Sequence, residues 1–480
     1  METKKLASLQ PQAVFGYFED ICAIPHGSYN TKQISDYLVN FAKSNDLRYI
    51  QDELNNVIIF GDATPGYEDH GPVIIQGHMD MVCVKDPDCT IDMEKEGVDV
   101  THNEEFVYAN GTSLGADDGI AVAFALALLS DKTIPHPALE VVITVDEETG
   151  MEGAAGIDLS MLKGRKLINI DHDEEGSFTV SCAGGVKSTV SIPVERRVVY
   201  GPCVRLTVEG LRGGHSGVEI HKPYANANKV MGEFLGRIQQ LMPLCITKLT
   251  GGEKDNAIPS FCQVTAVPLG MYIERINDIA EALQKEIREN YDEPNAIVRG
   301  DDVDALGGNA LTTESTAKVI AALNAAPNGI QAWSKDIEGL VQTSLNLGVV
   351  RLAETLDMTF AVRSSVNQEK LDLAEKLDEL AAFHGGTCSH KGDYPAWEYM
   401  PDSVLRNTAV SVLEKLSGKK PHVQAIHAGL ECGLLSEKIA GLDCLSMGPQ
   451  AYDIHTPRER LSIASTQRFW NFLQELLKNL

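Results

Sequence analysis

Five times in this chain a short apolar run ends in, or leads a short way on to, a carboxylate or an imidazole. The segments are Val73-Ile74-Ile75-Gln76-Gly77-His78-Met79-Asp80, Leu114-Gly115-Ala116-Asp117-Asp118-Gly119, Val142-Ile143-Thr144-Val145-Asp146-Glu147-Glu148, Leu167-Ile168-Asn169-Ile170-Asp171-His172-Asp173 and Leu445-Ser446-Met447-Gly448-Pro449-Gln450-Ala451-Tyr452-Asp453-Ile454-His455. In an open α/β sheet, ligands bind outside the carboxyl ends of the strands, so these side chains can converge on one crevice. A lone His-x-Asp or Glu-Glu after a strand is more often a solvated, hydrogen-bonded pair. Five in succession differ, because carboxylates at buried strand ends are costly unless a cation neutralises them. Carboxylates mixed with imidazole suit zinc, manganese or cobalt rather than copper or calcium.

The texture around these segments predicts two domains, as the 480 residues exceed the roughly 250–300 that one core usually serves. From residue 10 to about 187, helices at Thr31–Ser44 and Asp118–Ser130 alternate with strands at Val57–Phe60, Pro72–Gln76, Leu139–Val145 and Lys166–Ile170. Such alternation indicates an α/β layer structure with a largely parallel sheet. Beyond it, Val204–Val208, Ala225–Leu241, Gln263–Leu269, Ile276–Tyr291 and Ala296–Arg299 read as strand, helix, strand, helix, strand. A similar order follows: a helix near Glu314–Ala325, strands near Gln342–Gly348 and Thr355–Val362, a helix at Asn367–Phe383 and a last strand. The recurrence predicts duplicated ferredoxin-like units. Near residue 392 the α/β texture resumes with helix Ser403–Leu416, strand Asp443–Met447 and an amphipathic helix Ser465–Leu480. The expected architecture is a catalytic domain built from 1–187 and 392–480, interrupted by an inserted α+β lid at 188–391.

Charge and cysteine usage narrow the partners. Forty-one Lys plus Arg against 68 Asp plus Glu give a net charge of −27, which disfavours nucleic acid and anionic membranes. No apolar run approaches the ~18 residues of a membrane span, and METKKLASLQPQAVFGYF lacks the apolar core of a secretory signal. The ten cysteines form no Cys-x-x-Cys pair. Reduced thiols in a cytoplasmic protein, mostly filling cores, are expected; none sits in a recognisable nucleophile setting, which sets a thiol peptidase aside.

The order His-x-Asp, Gly-Ala-Asp-Asp-Gly, Glu-Glu, a later Asp and a distant C-terminal His resembles the co-catalytic zinc peptidase and aminoacylase family, in particular its bacterial aminoacyl-histidine dipeptidase branch. The likeness spans essentially the whole chain, lid included, with the phrases Ile24-Pro25-His26-Gly27-Ser28, Gly213-Gly214-His215-Ser216-Gly217 and His427-Ala428-Gly429-Leu430-Glu431-Cys432-Gly433. The resemblance implies two divalent metal ions, zinc foremost with manganese or cobalt as alternatives. One would be held by His78 and Asp171, the other by Glu148 and His455, with Asp117 bridging and a cis peptide after it. Asp118 for the bridge and Asp173 in place of Asp171 are the competing choices. The resemblance also gives Glu147 the role of general base and later proton donor to the leaving amine. Asp80 is expected to hydrogen-bond the other nitrogen of His78 and fix its tautomer.

Substrate residues are expected in the lid and after it. Arg363, following a predicted strand, can clamp a carboxylate bidentately, and the resemblance implies that role. It implies that His215, in a glycine-rich turn, stabilises a tetrahedral oxyanion in its own or a partner subunit. Asn256 is either a substrate contact or a turn residue. The run holding Gly429 also supplies Glu431, which can accept a free α-amino group. The expected activity is hydrolysis of unblocked dipeptides, Xaa-His and broader, by a water activated between two metals. The alternatives are an N-acyl-amino-acid deacylase, which needs no partner for an amine, and a non-catalytic metal-binding scaffold, against which the presence of Glu147 argues. A homodimer is expected.

Overall fold

The computed structural model describes residues 4–270 and 273–480. Two compact units emerge, one from Met1–Ser181, Tyr399–Ala425 and Leu430–Leu480, the other from Cys182–Glu398 with Ile426–Gly429. The expected insert, 188–391, lies inside the second unit. Its edges move outward because single strands run unbroken through residues 187 and 391.

The first unit opens with α1 (Gln12–Cys22), α2 (Lys32–Ser44), β1 (Arg48–Gln51), β2 (Val57–Gly61), β3 (Val73–His78), β4 (Val100–His102), β5 (Phe106–Ala109), α3 (Ala116–Ser130), β6 (Leu139–Thr144), α4 (Glu152–Gly156), β7 (Lys166–Asn169) and β8 (Ser177–Cys182). The second unit holds β9 (Gly184–Pro193), β10 (Arg196–Glu209), α5 (Ala227–Leu241), β11 (Leu244–Gly251), β12 (Cys262–Pro268), α6 (Ile273–Asn290), β13 (Ile297–Leu311), α7 (Thr313–Ala325), β14 (Gly329–Trp333), β15 (Val341–Leu352), β16 (Thr355–Ser364), α8 (Asn367–Phe383) and β17 (Thr387–Tyr394). The chain then returns through α9 (Val404–Ser417), β18 (His422–Ile426), α10 (Glu431–Lys438), β19 (Asp443–Ser446), β20 (Ala451–Tyr452), β21 (Arg460–Ser462) and α11 (Ile463–Lys478).

The main sheet of the first unit runs β1-β2-β6-β3-β7-β19-β8-β18. Its centre, β6-β3-β7-β19, is parallel, whereas β1, β2 and β8 join antiparallel. The expected largely parallel sheet is therefore parallel only at its centre. The tight turn at Asp52–Asn56 forces a hairpin between β1 and β2, since a parallel pair needs a long crossover. Every residue of β3 and β6 is buried, as unbroken apolar strands covered on both faces require. Helix α3, apolar all round beyond its first turn, packs against β3 and α1. Its Phe124 ring lies 5.2 Å from that of Phe469 on α11. Because the central strands share one direction, the residues after β3, β6 and β7 emerge along one edge. A small sheet, β20-β21-β5-β4, brackets the segment carrying His455.

The second unit's sheet runs β13-β10-β12-β11-β15-β16-β9-β17, with β14 on β15. One copy is continuous, β10-α5-β11-β12-α6-β13, and its strands lie in the order fourth, first, third, second. The other copy, β9-α7-β15-β16-α8-β17, repeats that order. It is split, the first copy being inserted after β9. The two join antiparallel through their second strands, at Thr250–Arg351 and Gly251–Val350. This is the ferredoxin-like pattern twice over. Phe234, Leu235 and Ile238 of α5, Leu283 and Ile287 of α6, Ile320 and Leu323 of α7 and Leu373 and Leu377 of α8 share one core with the strands. Strands β10 and β13, at 14 and 15 residues, far outrun the predicted Val204–Val208 and Ala296–Arg299. Their outer halves are exposed and interrupted by a register shift near Pro202, so no alternation marks them.

Candidate metal and catalytic site

His78 closes β3, and its ring is 1% exposed. Nδ1 donates to the main-chain carbonyl of Asp80 at 2.9 Å, which leaves Nε2 as the free donor atom for a cation. Nε2 stands 3.2 Å from Asp117 Oδ1 and 3.8 Å from Asp171 Oδ1. The other oxygen of Asp117 lies 3.2 Å from His455 Nε2, which is 2.8 Å from Glu148 Oε1. One carboxylate thus faces both imidazoles. The Asp117–Asp118 peptide is cis.

The five ligand candidates come together with acids beside them. Ligand atoms of Asp117, Glu148 and His455 all lie within 4.8 Å of one another, as do those of His78, Glu147 and Glu148 and those of His78, Asp118 and Asp171. Asp118 is adjacent but occupied: its Oδ2 accepts from the His78 backbone N–H at 3.2 Å, and it faces no second histidine in these contacts. Asp173, the other competing choice, is exposed.

The electrostatics of the cluster call for a cation. Burial pushes Asp171 well above the usual carboxylate range. Burial likewise raises Glu147 to about 8, against the pull of His78 and with the push of Glu431, Glu148 and Asp117. Asp117 is driven the other way: burial opposes its charge, but His455 and His78 hold it well below the ordinary range. His455 rises to about 10 beside Asp117 and Glu148. Two imidazoles and three carboxylates, converging on the carboxyl edge of a parallel sheet, fit a pair of divalent ions as a donor set.

Asp80 is fully buried and does more than the sequence suggested. Its Oδ1 accepts from the Glu147 backbone N–H at 3.1 Å and its Oδ2 from Ser28 Oγ at 2.8 Å. The same carboxylate is 3.4 Å from His78 Nδ1, farther than the Asp80 carbonyl. Glu147 and Glu148 begin the short 3-10 turn after β6, entered through Asp146 at φ +54°.

Glu431 is a correction. It was expected to meet a substrate amine, yet it is 0% exposed, at the first residue of α10. It accepts from Thr144 Oγ1 at 2.8 Å and from Gln76 Nε2, and Gln76 Oε1 accepts from Asn169 Nδ2 at 2.6 Å. The glycine-rich run ahead of it disguised a buried helix start as an open loop.

The second unit gathers another set. Arg363 on β16 donates from a terminal nitrogen to Tyr394 Oη at 3.1 Å. Opposite it on β15, Ser344 Oγ bonds His427 Nε2 at 2.7 Å. His215 Nδ1 accepts from the backbone N–H groups of Gly217 and Val218, both at 3.2 Å, so its proton sits on Nε2. Asn256 is exposed on the neighbouring turn, and its carbonyl accepts from Ser216 N–H at 2.9 Å. Gly429 is two residues past His427 and half-buried. Tyr394 and Ser344 carry no local motif and meet Arg363 and His427 through the sheet, whereas His427 opens the phrase His427–Gly433 without having been named as a site residue.

Known proteins resemble this chain along its length. It is 37% identical over 483 residues to the cytosol non-specific dipeptidase of Escherichia coli strain K12, with 99% of each chain covered. The crystal structure of aminoacylhistidine dipeptidase from Vibrio alginolyticus superposes with a TM-score of 0.93 at 34% identity, covering 99% of this chain and 98% of that one. The aminopeptidase PepT of Bacillus cereus, at TM-score 0.55 and 15% identity over 98% of both chains, shares the fold. The model of peptidase family M20/M25/M40 matches residues 74–479, and the chain belongs to that family.

Proposed function

We propose that the protein is a cytosolic metallo-dipeptidase. His78 and Asp171 would hold one divalent ion, Glu148 and His455 a second, and Asp117 would bridge them, with zinc as the first choice of metal. The observation that carries this reading is the Asp117 carboxylate, one oxygen 3.2 Å from each imidazole. Bound there, two such ions would acidify water and polarise a peptide carbonyl.

The chain's own groups supply the rest. Glu147, beside Glu148 in the turn after β6, would take the proton of the attacking water and return it to the leaving amine. Asp80 fixes the main chain at Glu147 and so sets where that carboxylate stands. His215 presents a neutral Nε2–H to the developing oxyanion. Arg363, with Tyr394 steadying one guanidinium nitrogen, receives the substrate's terminal carboxylate. Asn256 and Gly429, near His215 and His427 in sequence and backbone pairing, are the remaining proposed contacts. The substrate class rests on the names of the two full-length relatives.

Because Glu431 is buried, a substrate panel separates the dipeptidase from a deacylase. Zinc-loaded protein is given β-alanyl-histidine, Leu-Gly and N-acetyl-amino acids, with Glu147→Gln as control. Cleavage of the free dipeptides alone, lost in the control, is expected; cleavage of only the acetylated compounds overturns the proposal. The proposal extends to a homodimer, which a single-chain mass in sedimentation equilibrium would contradict.

A further inference from the structure

Helix α3 spans Ala116–Ser130, but Asp117 and Asp118 are not helical, so Leu114 to Asp117 runs as a tight loop into its regular turns, and Gly115 in that loop offers no side chain to its backbone N–H groups. Backbone N–H groups buried in such a loop need acceptors. Here they are met from far along the chain. Glu459 Oε2 accepts from Leu114 N–H at 2.7 Å and Gly115 N–H at 3.1 Å, and Oε1 accepts from Ala116 N–H at 2.8 Å and Asp117 N–H at 3.3 Å. Four consecutive N–H groups therefore close on one carboxylate, which is only 3% exposed. Gly115, at φ +75°, gives the loop the curvature this needs, and a Cβ there would come within 2.8 Å of Met81 Sδ.

Glu459 also belongs to the turn that carries His455. Its own N–H bonds the carbonyl of Thr456 at 3.1 Å, one residue after that histidine. The loop ending in Asp117 and the turn presenting His455 are thus joined at their backbones by one side chain. Their side chains then meet 3.2 Å apart.

We infer that Glu459 is the positioning residue of the metal site: it sets the main chain at Asp117 and holds it in register with His455, so that the shared carboxylate reaches both imidazoles. The inference rests on the reading that Asp117 bridges two ions. The sequence hid it, because nothing local connects the Gly-Ala-Asp loop with a glutamate more than three hundred residues later.

The test is titration of metal-free protein with zinc or cobalt, by calorimetry, for wild type, Glu459→Gln and Glu459→Asp, with the melting temperature of each metal-free protein recorded alongside. Glutamine keeps the size but turns an amide NH2 toward two of the four donors; aspartate keeps the charge on a shorter arm. Removing a group that orients metal ligands weakens metal binding roughly 10–100-fold. That loss is expected for Glu459→Gln at a melting temperature near wild type, with turnover restored by excess metal, and a smaller loss is expected for Glu459→Asp. Unchanged affinity in Glu459→Gln overturns the inference. So does an affinity loss that appears in both variants only together with an unfolded metal-free protein, which would leave Glu459 a purely structural role. Asp117→Asn is titrated in parallel: undiminished uptake of two ions there would overturn the bridging assignment itself rather than the role of Glu459.

Discussion

Replacing Asp80 by asparagine separates two roles that its position suggests. The carboxylate serves Ser28 Oγ and the Glu147 backbone N–H directly, while the ring of His78 is held more closely by the Asp80 main-chain carbonyl, at 2.9 Å against 3.4 Å. Asparagine leaves that carbonyl in place. It converts two hydrogen bonds to a charged acceptor into at most one neutral bond and one unfavourable NH2 contact. Hydrogen bonds to charged groups are worth about 1.5–3 kcal/mol each and neutral ones about 0.5–1.5, so two of the first replaced by one of the second lose about 1.5–5.5 kcal/mol, at least roughly tenfold. Because the damage falls on the Glu147 turn, it should appear in kcat at saturating metal, with zinc affinity changed less than about threefold. Steady-state kinetics on β-alanyl-histidine and a zinc titration of the metal-free variant provide both numbers. A 10–100-fold drop in zinc affinity, with kcat intact once the metal is saturating, would show that the carboxylate chiefly orients His78, and would refute this division of labour.

Three further outcomes test other parts of the account. Arg363→Ala should raise KM for a free dipeptide by roughly 10–100-fold, the value of about 1.5–3 kcal/mol for a charge-assisted bond, and should hardly affect the C-terminal amide of the same dipeptide; equal losses on both substrates would mean that Arg363 does not read the carboxylate. Phe234 is fully buried in the core of the second unit, so Phe234→Ala should destabilise that unit by about 3–5 kcal/mol in urea unfolding, and a cost under about 1 kcal/mol would contradict the packing described. His427 is pushed from 6.5 down to about 3 by burial, with Arg363 and His215 adding to it, so folding favours its neutral form. Its contribution is whole above about pH 6.5 and shrinks as pH falls toward 3, by about 1.4 kcal/mol per pH unit; a wild-type minus His427→Gln stability difference that stays flat between pH 6.5 and 4 would sink this.

The candidate metal-site residues His78, Glu147 and Glu148 could be picked out because β3 and β6 are buried on both faces, so their apolar runs stand out and the polar residues that follow them stand out equally. The duplication in the second unit was legible as a recurring element order, but not its first strand. β9 pairs with β16 and β17, more than 150 residues later, and only geometry assigns it there. The strands β20 and β21 that bracket His455 are two and three residues long, below what alternation can reveal. Glu431 was misread because a carboxylate behind glycines looks solvated. The buried Gln76 and Thr144 that receive it lie on strands whose polar residues had no visible purpose in the sequence. Glu459, Tyr394 and Ser344 meet partners distant in the chain, and no spacing rule reaches that far.

The most direct test of the central claim is to strip the protein of metal and return zinc stepwise while following dipeptide hydrolysis. The account predicts negligible turnover without metal and a rise that saturates at two ions per chain, with Asp117→Asn failing to reach it. Full hydrolysis by the stripped protein, or saturation at a single ion with Asp117→Asn unimpaired, would contradict it.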